Sequence, residues 1–136
     1  MKQLARQDSH KAAVLAIAWD VDSPQGVDRL FRNAWRVVPD PDTYEFVRTP
    51  EYQAKLFWHS GYFAGDCDDA ATMGASILCA LNQSCWLTAI RRYGELDYSH
   101  VYVSCLTAYG PLDIDPIVPP DKLPIADVIH SMRVDV

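Results

Sequence analysis

Apolar residues follow two different periods in the two halves of this chain, and this change of period limits the folds that the sequence allows. Between Val27 and Val38 they recur at intervals of three and four, which predicts one apolar stripe along a helix. After Asn82, short runs rich in Val, Ile, Tyr and Trp alternate with turn residues, which predicts strands. Helices followed by strands are typical of the α+β class. Because 136 residues suit one core, we expect one domain over residues 1–136.

The helices predicted for the first half have recognisable ends. We expect a first helix over residues 9–19 and a second that begins with Ser23 as its N-cap and Pro24 in its first turn. The apolar stripe carries the second helix to Val38, where Pro39 ends it. Residues 40–65 are predicted to be mostly irregular, with a short helix around residues 52–57.

The second half begins with a helix and continues as strands. Asp66 is the predicted N-cap of the third helix, and Asn82 is its predicted left-handed C-terminal residue. Strands are predicted over residues 85–92, 100–106 and roughly 112–117, with a two-residue loop at Ala108 and Tyr109 joining the last two. A last short helix is predicted within residues 123–134.

Charge and cysteine spacing exclude several classes of protein. The formal net charge of −6, without a cluster of Lys and Arg, argues against nucleic acid as a partner. The longest apolar run near the N-terminus, residues 12–19, is too short to span a membrane and lacks a signal-peptide cleavage site. The four cysteines match neither a CxxC metal pair nor a dense disulfide framework. We therefore expect a cytoplasmic protein with free thiols.

Cys67 is the candidate nucleophile, because its predicted place is the first turn of a helix. The positive end of the helix dipole favours a thiolate there. A thiolate nucleophile requires a nearby histidine and an acid that orients the imidazole, and His100 lies at the start of a predicted strand. The predicted hairpin brings the next strand beside it, so that Asp115 is the preferred acid and Asp113 is the alternative.

Three short motifs resemble the catalytic core of the transglutaminase-like family within the papain-like cysteine protease superfamily. The family's G-x-C-x-[DE] turn is matched by residues 65–69, its H-[VA]-[WY]-V strand by residues 100–103, and its L-D-P segment by residues 114–116. The third position is ambiguous, because Leu112 and Asp113 match it less well and Ile117 replaces the family's Thr or Ser. The small, N-terminally helical form is also similar to members encoded by phages and prophages.

The resemblance implies a papain-like fold and thiol acyl chemistry at Cys67, His100 and Asp115. The chain would act on peptide or carboxamide bonds of a peptide or protein substrate as a hydrolase or acyltransferase. Three residues near the nucleophile turn are candidates for binding this substrate, namely Trp58, His59 and Tyr62. A non-catalytic assembly or adaptor protein of phage origin that keeps the scaffold is the alternative hypothesis.

The aspartates around Cys67 allow a third hypothesis, a divalent-metal module. Asp66, Asp68 and Asp69 lack the alternating oxygen ligands, the glycine and the late glutamate of an EF-hand loop. Their place at a helix start explains the acidity through capping and the helix dipole. We therefore assign no metal ligand and expect no cofactor. The sequence does not determine the oligomeric state.

Overall fold

The computed structural model describes residues 1–41, 46–122 and 125–136. The described chain contains five α-helices and six strands, with a 3₁₀ turn at Pro120–Lys122 before the last strand. The helices are α1 (Lys2–Asp8), α2 (Ala12–Val21), α3 (Pro24–Ala34), α4 (Pro50–Ser60) and α5 (Cys67–Ala80). The strands are β1 (Trp35–Val37), β2 (Phe63–Gly65), β3 (Cys85–Arg92), β4 (His100–Thr107), β5 (Gly110–Ile114) and β6 (Val128–Asp135).

A four-stranded antiparallel sheet in the order β5-β4-β3-β6 forms one layer of the fold, and the helices form the other. Helix α5 lies between them, because residues 69–78 of its fourteen residues are all buried. Inward-facing residues of β3 and β4, such as Leu87 and Val103, pack with α5 in one core that also includes Phe31 and Phe63. This architecture confirms the predicted α+β class.

Two elements at the start of the chain differ from the prediction. The first predicted helix is α2, which begins at Ala12 instead of Ser9 and ends at Val21, and a separate helix that was not predicted, α1, precedes it with Ser9 as its C-cap. Helix α3 begins as predicted, with the hydroxyl of Ser23 accepting a hydrogen bond from the backbone N–H of Gly26 at 3.1 Å. It ends at Ala34, however, because the next three residues form β1, which pairs in parallel with β2.

The segment predicted to be mostly irregular is more ordered than expected. Its short helix is α4, which extends over Pro50–Ser60 because the hydroxyl of Thr49 accepts a hydrogen bond from the N–H of Tyr52 and caps it. Strand β2 was not predicted, since the apolar pattern of three residues is too short to distinguish a strand from a helix or a loop. The part of this prediction that covers residues 42–45 lies outside the described residues.

Helix α5 and the following hairpin agree closely with the elements predicted from the sequence. Asp66 is the N-cap of α5, and Asn82 follows its end with a φ of 56° in the left-handed region. Strand β3 has the predicted bounds, and Thr107 faces Gly110 across the predicted two-residue loop. Strand β5 ends at Ile114, three residues earlier than expected.

The prediction of a C-terminal helix is wrong. Residues 128–135 form β6, which pairs antiparallel with β3 over seven register positions with a shift between Arg91 and Arg92. The reason is tertiary, because β3 offers an open edge whose backbone groups pair with this segment. The beginning of the predicted helix includes residues 123–124, which lie outside the described residues. Within the described part of the chain, no helix has the length and apolarity that crossing a membrane requires.

Candidate active site

A glycine makes the tight connection from β2 into α5 possible. Gly65 has a φ of 153°, and a Cβ atom at this position would lie 2.2 Å from a carboxylate oxygen of Asp69. Only a residue without a side chain allows that approach. Cys67 is therefore the first residue of α5, after a turn whose shape depends on Gly65.

Two side chains hold the backbone before Cys67 in place. Gln53 is fully buried, and its amide donates a hydrogen bond to the carbonyl of Ala64 at 2.6 Å and accepts one from the Ala64 N–H at 3.1 Å. The indole N–H of Trp35 donates to the carbonyl of Gly65 at 3.1 Å. The sequence gives no signal for Gln53, because one glutamine in a helix is indistinguishable from a surface residue.

Asp69 fixes the first turn of α5 from inside the fold. Its fully buried carboxylate accepts hydrogen bonds from the backbone N–H of Asp66 at 3.2 Å and from the backbone N–H of Arg48 at 2.6 Å. The Arg48 guanidinium forms an ion pair with the same carboxylate. Burial raises the pKa of Asp69, and its hydrogen bonds and ion pair with Arg48 oppose that rise. The prediction that Asp69 serves the helix start is confirmed.

His100 lies between Cys67 and Asp115, although the three residues are far apart in the sequence. Nε2 of His100 is 2.6 Å from Oδ2 of Asp115, and the imidazole shares the lining of one cleft with the thiol of Cys67, which raises the pKa of the ring. Since Nε2 faces the acid, Nδ1 is the ring nitrogen left for the sulfur. Oδ1 of Asp115 accepts hydrogen bonds from the N–H groups of Ile117 and Val118 at 3.2 and 3.4 Å. The carboxylate is thus fixed from both sides.

Asp113, the alternative acid, makes a different contact. Its Oδ1 accepts a hydrogen bond from the hydroxyl of Ser104 at 2.6 Å, and the two residues are direct partners in the β4–β5 ladder. Asp115 differs because β5 has ended at Ile114, so the chain is free to turn toward His100. The geometry therefore pairs His100 with Asp115 and leaves Asp113 on the neighbouring strand.

The surroundings of His100 favour its protonated form. Burial by itself lowers the pKa of the imidazole, but the hydrogen bond and charge of Asp115 and the contact with Cys67 outweigh it and raise the pKa to about 9. The side chain is 7% exposed, and that of Asp115 is 2% exposed. An imidazolium beside a thiol stabilises a thiolate, which is the form that attacks carbonyl carbon.

A cleft of about 260 Å³ opens over Cys67 and His100. Asp66 and Asp68 line it beside the nucleophile, and Tyr98 lines it beside the histidine. Because the cleft is lined by both reacting groups, a substrate carbonyl that enters it can reach the sulfur. The hydroxyl of Tyr98 also hydrogen-bonds the ring of His130 on β6 at 2.7 Å, which links the cleft to the edge of the sheet.

The three predicted substrate-binding residues lie elsewhere in the described structure. Trp58 and His59 belong to the last turns of α4, where the Trp58 indole donates a hydrogen bond to the carbonyl of Ala13 at 3.1 Å. The guanidinium of Arg36 stacks 3.7 Å from the centre of the Tyr62 ring. The cleft at the candidate nucleophile is lined by other residues. A role for these three in a longer groove stays a prediction.

A third carboxylate that the sequence analysis did not identify joins the two that flank the candidate nucleophile. One carboxylate oxygen each of Asp40, Asp66 and Asp68 lies within 4.8 Å of the others. Each of the three side chains has a buried Oδ1 without a hydrogen-bond partner. Burial, together with the hydrogen bond and charge of Asp66, raises the pKa of Asp68 to about 8. The side chain of Asp40 is 8% exposed, and its Oδ1 lies 3.7 Å from Arg48.

A comparison with solved structures agrees with this fold. No family model matches the sequence, and the curated proteins contain no match. Among solved structures, the chain is similar to calcium-bound LapG from Legionella pneumophila, with a TM-score of 0.50 and 21% sequence identity. The similarity covers 80% of this chain and 62% of the LapG chain. At this identity it shows the fold alone, which is a papain-like, transglutaminase-like α+β fold.

Proposed function

We propose that this protein is a cysteine-dependent hydrolase that cleaves peptide or carboxamide bonds through Cys67, His100 and Asp115. The observation that carries the proposal is the contact of one imidazole with both the thiol and a buried carboxylate, at the floor of an open cleft. The papain-like, transglutaminase-like fold is compatible with this proposal. The similarity spans 62% of the length of LapG. The substrates of the present protein are therefore proposed from its own site and not from LapG.

The proposed reaction begins with the Cys67 sulfur attacking the carbonyl carbon while His100 carries the proton. The backbone N–H of Cys67 is at the first position of α5, where no intrahelical acceptor is available, and it donates to the oxygen as negative charge develops. His100 then protonates the leaving amine, which gives a thioester on Cys67. Asp115 holds the imidazole in the required tautomer and stabilises its cation. Water accepting the acyl group gives hydrolysis, and a primary amine accepting it gives acyl transfer.

Alkylation by chloroacetamide separates this proposal from the adaptor hypothesis. Peptide mapping distinguishes Cys67 from the other three cysteines, so the alkylation rate of Cys67 at pH 7 is measured directly. We expect Cys67 to react at least tenfold faster than the buried Cys105, and His100→Ala to slow it by about tenfold. A scaffold without activity predicts that His100→Ala leaves the alkylation rate of Cys67 unchanged, since exposure alone would make Cys67 react faster than the buried Cys105. Peptide-library cleavage that Cys67→Ala abolishes then establishes hydrolysis.

We also infer that Ca²⁺ binds the carboxylates of Asp40, Asp66 and Asp68. The structure of LapG is the calcium-bound form, and Ca²⁺ prefers several carboxylate oxygens. The three residues fit a cation because each has a buried Oδ1 without a hydrogen-bond partner and because one carboxylate oxygen of each lies within 4.8 Å of the others. Bound Ca²⁺ would neutralise the negative charge beside Cys67 and stabilise the turn that holds it.

Thermal melting tests this inference without relying on activity. We expect Ca²⁺ to raise the Tm of the wild-type protein and to release a proton near pH 7, because the pKa of Asp68 is about 8 before binding. Asp40→Asn is expected to remove most of the shift. Asp113→Asn is the matched control, since Asp113 accepts a hydrogen bond from Ser104 on another element. A Tm unaffected by Ca²⁺, or an equal loss in both variants, would contradict the inference and leave the hydrolase proposal intact.

A further inference from the structure

A second thiol site lies at the opposite end of α5 from Cys67. Cys79 is in the last turn of this helix and Cys85 is the first residue of β3, and a tight turn joins the two elements. The N–H of Asn82 donates to the carbonyl of Cys79 at 3.0 Å, which closes that turn. The proposed hydrolase mechanism does not use either thiol.

The two side chains meet inside this turn. Sγ of Cys85 points at α5, 4.0 Å from the carbonyl oxygen of Ala75, and Cys79 lies one helical turn further on the same face. Cys79 packs against the core cluster that contains Cys85, and each of the two thiols shifts the pKa of the other. Cys85 is 6% exposed and Cys105, its partner across the sheet, is fully buried, whereas Cys79 is half-buried. Solvent therefore reaches the pair through Cys79.

The charges around the pair favour a thiolate at Cys79. The neighbouring Cys85 thiol and the positive charge of Arg6 outweigh burial and lower the pKa of Cys79 to about 7. Arg6 is held nearby because its guanidinium donates to the carbonyl of Val136 at 2.8 Å, while the N–H of Val136 donates to the carbonyl of Cys85 at 3.1 Å. The neighbouring Cys79 and burial raise the pKa of Cys85 despite the opposing charge of Arg6, which makes Cys85 the protonated partner.

We propose that Cys79 and Cys85 form a redox modification site, at which a low-molecular-weight disulfide converts the two thiols into an intramolecular disulfide. The Cys79 thiolate attacks one sulfur of the small disulfide, which forms a mixed disulfide and expels one small thiolate. Cys85 gives its proton to that thiolate and attacks the sulfur of Cys79, which expels the second. The two cysteines lose two electrons, and the small disulfide becomes two thiols. The Cys79–Cys85 disulfide covalently links the end of α5 to the start of β3.

Oxidised glutathione is the probe, with Cys67→Ala as the background so that the candidate nucleophile does not react. After quenching with N-ethylmaleimide, peptide mapping is expected to find a Cys79–Cys85 disulfide and an alkylated Cys105. Cys85→Ser should stop the reaction at a glutathione adduct on Cys79, while Cys79→Ser should prevent both products. The rate of adduct formation in Cys85→Ser should rise about tenfold between pH 6 and pH 8, following the thiolate of Cys79.

Several results would overturn the proposal. A glutathione adduct that accumulates on Cys79 without an intramolecular bond would show that Cys85 cannot reach it. A Cys85–Cys105 disulfide formed in preference would show that the strand pair is the reactive one. Cys105→Ser is the matched control, because it removes a neighbouring buried thiol and should leave the Cys79–Cys85 product unchanged. Circular dichroism spectra of each variant establish that the comparison is made between folded proteins.

Discussion

The charge of Asp115 controls the protonation of His100, and Asp115→Asn removes that charge. Burial lowers the pKa of His100, but Asp115 and then Cys67 raise it from 6.5 to about 9. This difference corresponds to roughly 3 kcal/mol, which solvent screening in the open cleft reduces to roughly 2 kcal/mol. Because Asp115 is the larger of the two favourable contributions, its replacement by a neutral amide is expected to return the pKa of His100 to roughly 7.

The consequence is measurable as a change in the pH dependence of Cys67 alkylation. At pH 8 the protonated fraction of His100 falls from about 0.9 in the wild-type protein to about 0.1 in Asp115→Asn. Because the imidazolium stabilises the thiolate, the alkylation rate at Cys67 should fall roughly 3- to 10-fold at pH 8. At pH 6 both proteins keep a protonated imidazole, so their rates should be similar. The assay is chloroacetamide labelling between pH 5 and pH 9, followed by peptide mapping.

Asp113→Asn is the control for this prediction, because it makes the same chemical change two residues away. The carboxylate of Asp113 accepts a hydrogen bond from Ser104 instead of His100. The pH profile of Cys67 alkylation in Asp113→Asn should therefore match that of the wild-type protein. The reasoning would be refuted if Asp115→Asn kept the wild-type profile, or if Asp113→Asn shifted it as far. The second result would identify Asp113 as the orienting acid.

Three further predictions concern stability. Gly74→Ala should lower the free energy of unfolding by about 1–2 kcal/mol in urea titrations, because its Cβ would lie 2.7 Å from a methyl group of Val103; an equal or higher stability would contradict this contact. Asp69→Asn should lower the free energy of unfolding by roughly 3 kcal/mol, since it leaves the charge of Arg48 without its buried partner Asp69. A decrease below about 1 kcal/mol would mean that the ion pair contributes little. The contribution of His100 to stability is fully present below pH 6.5 and is lost as the pH rises through about 9, so Tm should fall over that range and His100→Gln should flatten the fall.

Local signals explain why much of the site could be predicted from the sequence. A hydroxyl at Ser23 and a carboxylate at Asp66 each satisfy N–H groups within one turn, so the starts of α3 and α5 are determined by neighbouring residues. The two-residue loop fixes the register of β4 against β5 in the same local way, as the pairing of Thr107 with Gly110 shows. Asn82 completes the end of α5 by accepting a left-handed conformation.

The wrong predictions share a different cause. Residues 128–135 become a strand because the edge of β3 is available, and Trp35 leaves the helical stripe because β2 lies beside it. Asp40 reaches the acidic residues beside Cys67 only through the fold, and no motif in the sequence marks it. A pattern of apolar residues does not specify which partner is present in space, and these elements depend on that partner.

The sequence by itself determined the class of fold, the place of Cys67 at a helix start and the three segments that bring the thiol, the imidazole and the carboxylate. These features follow from caps, turns and periodicity, which act over a few residues. Only the tertiary structure decided that Asp115 contacts His100 while Asp113 contacts Ser104, because the choice depends on where the pairing of β5 ends. It alone also placed the thiols of Cys79 and Cys85 together, since contact between a helix end and a strand depends on how the two elements pack.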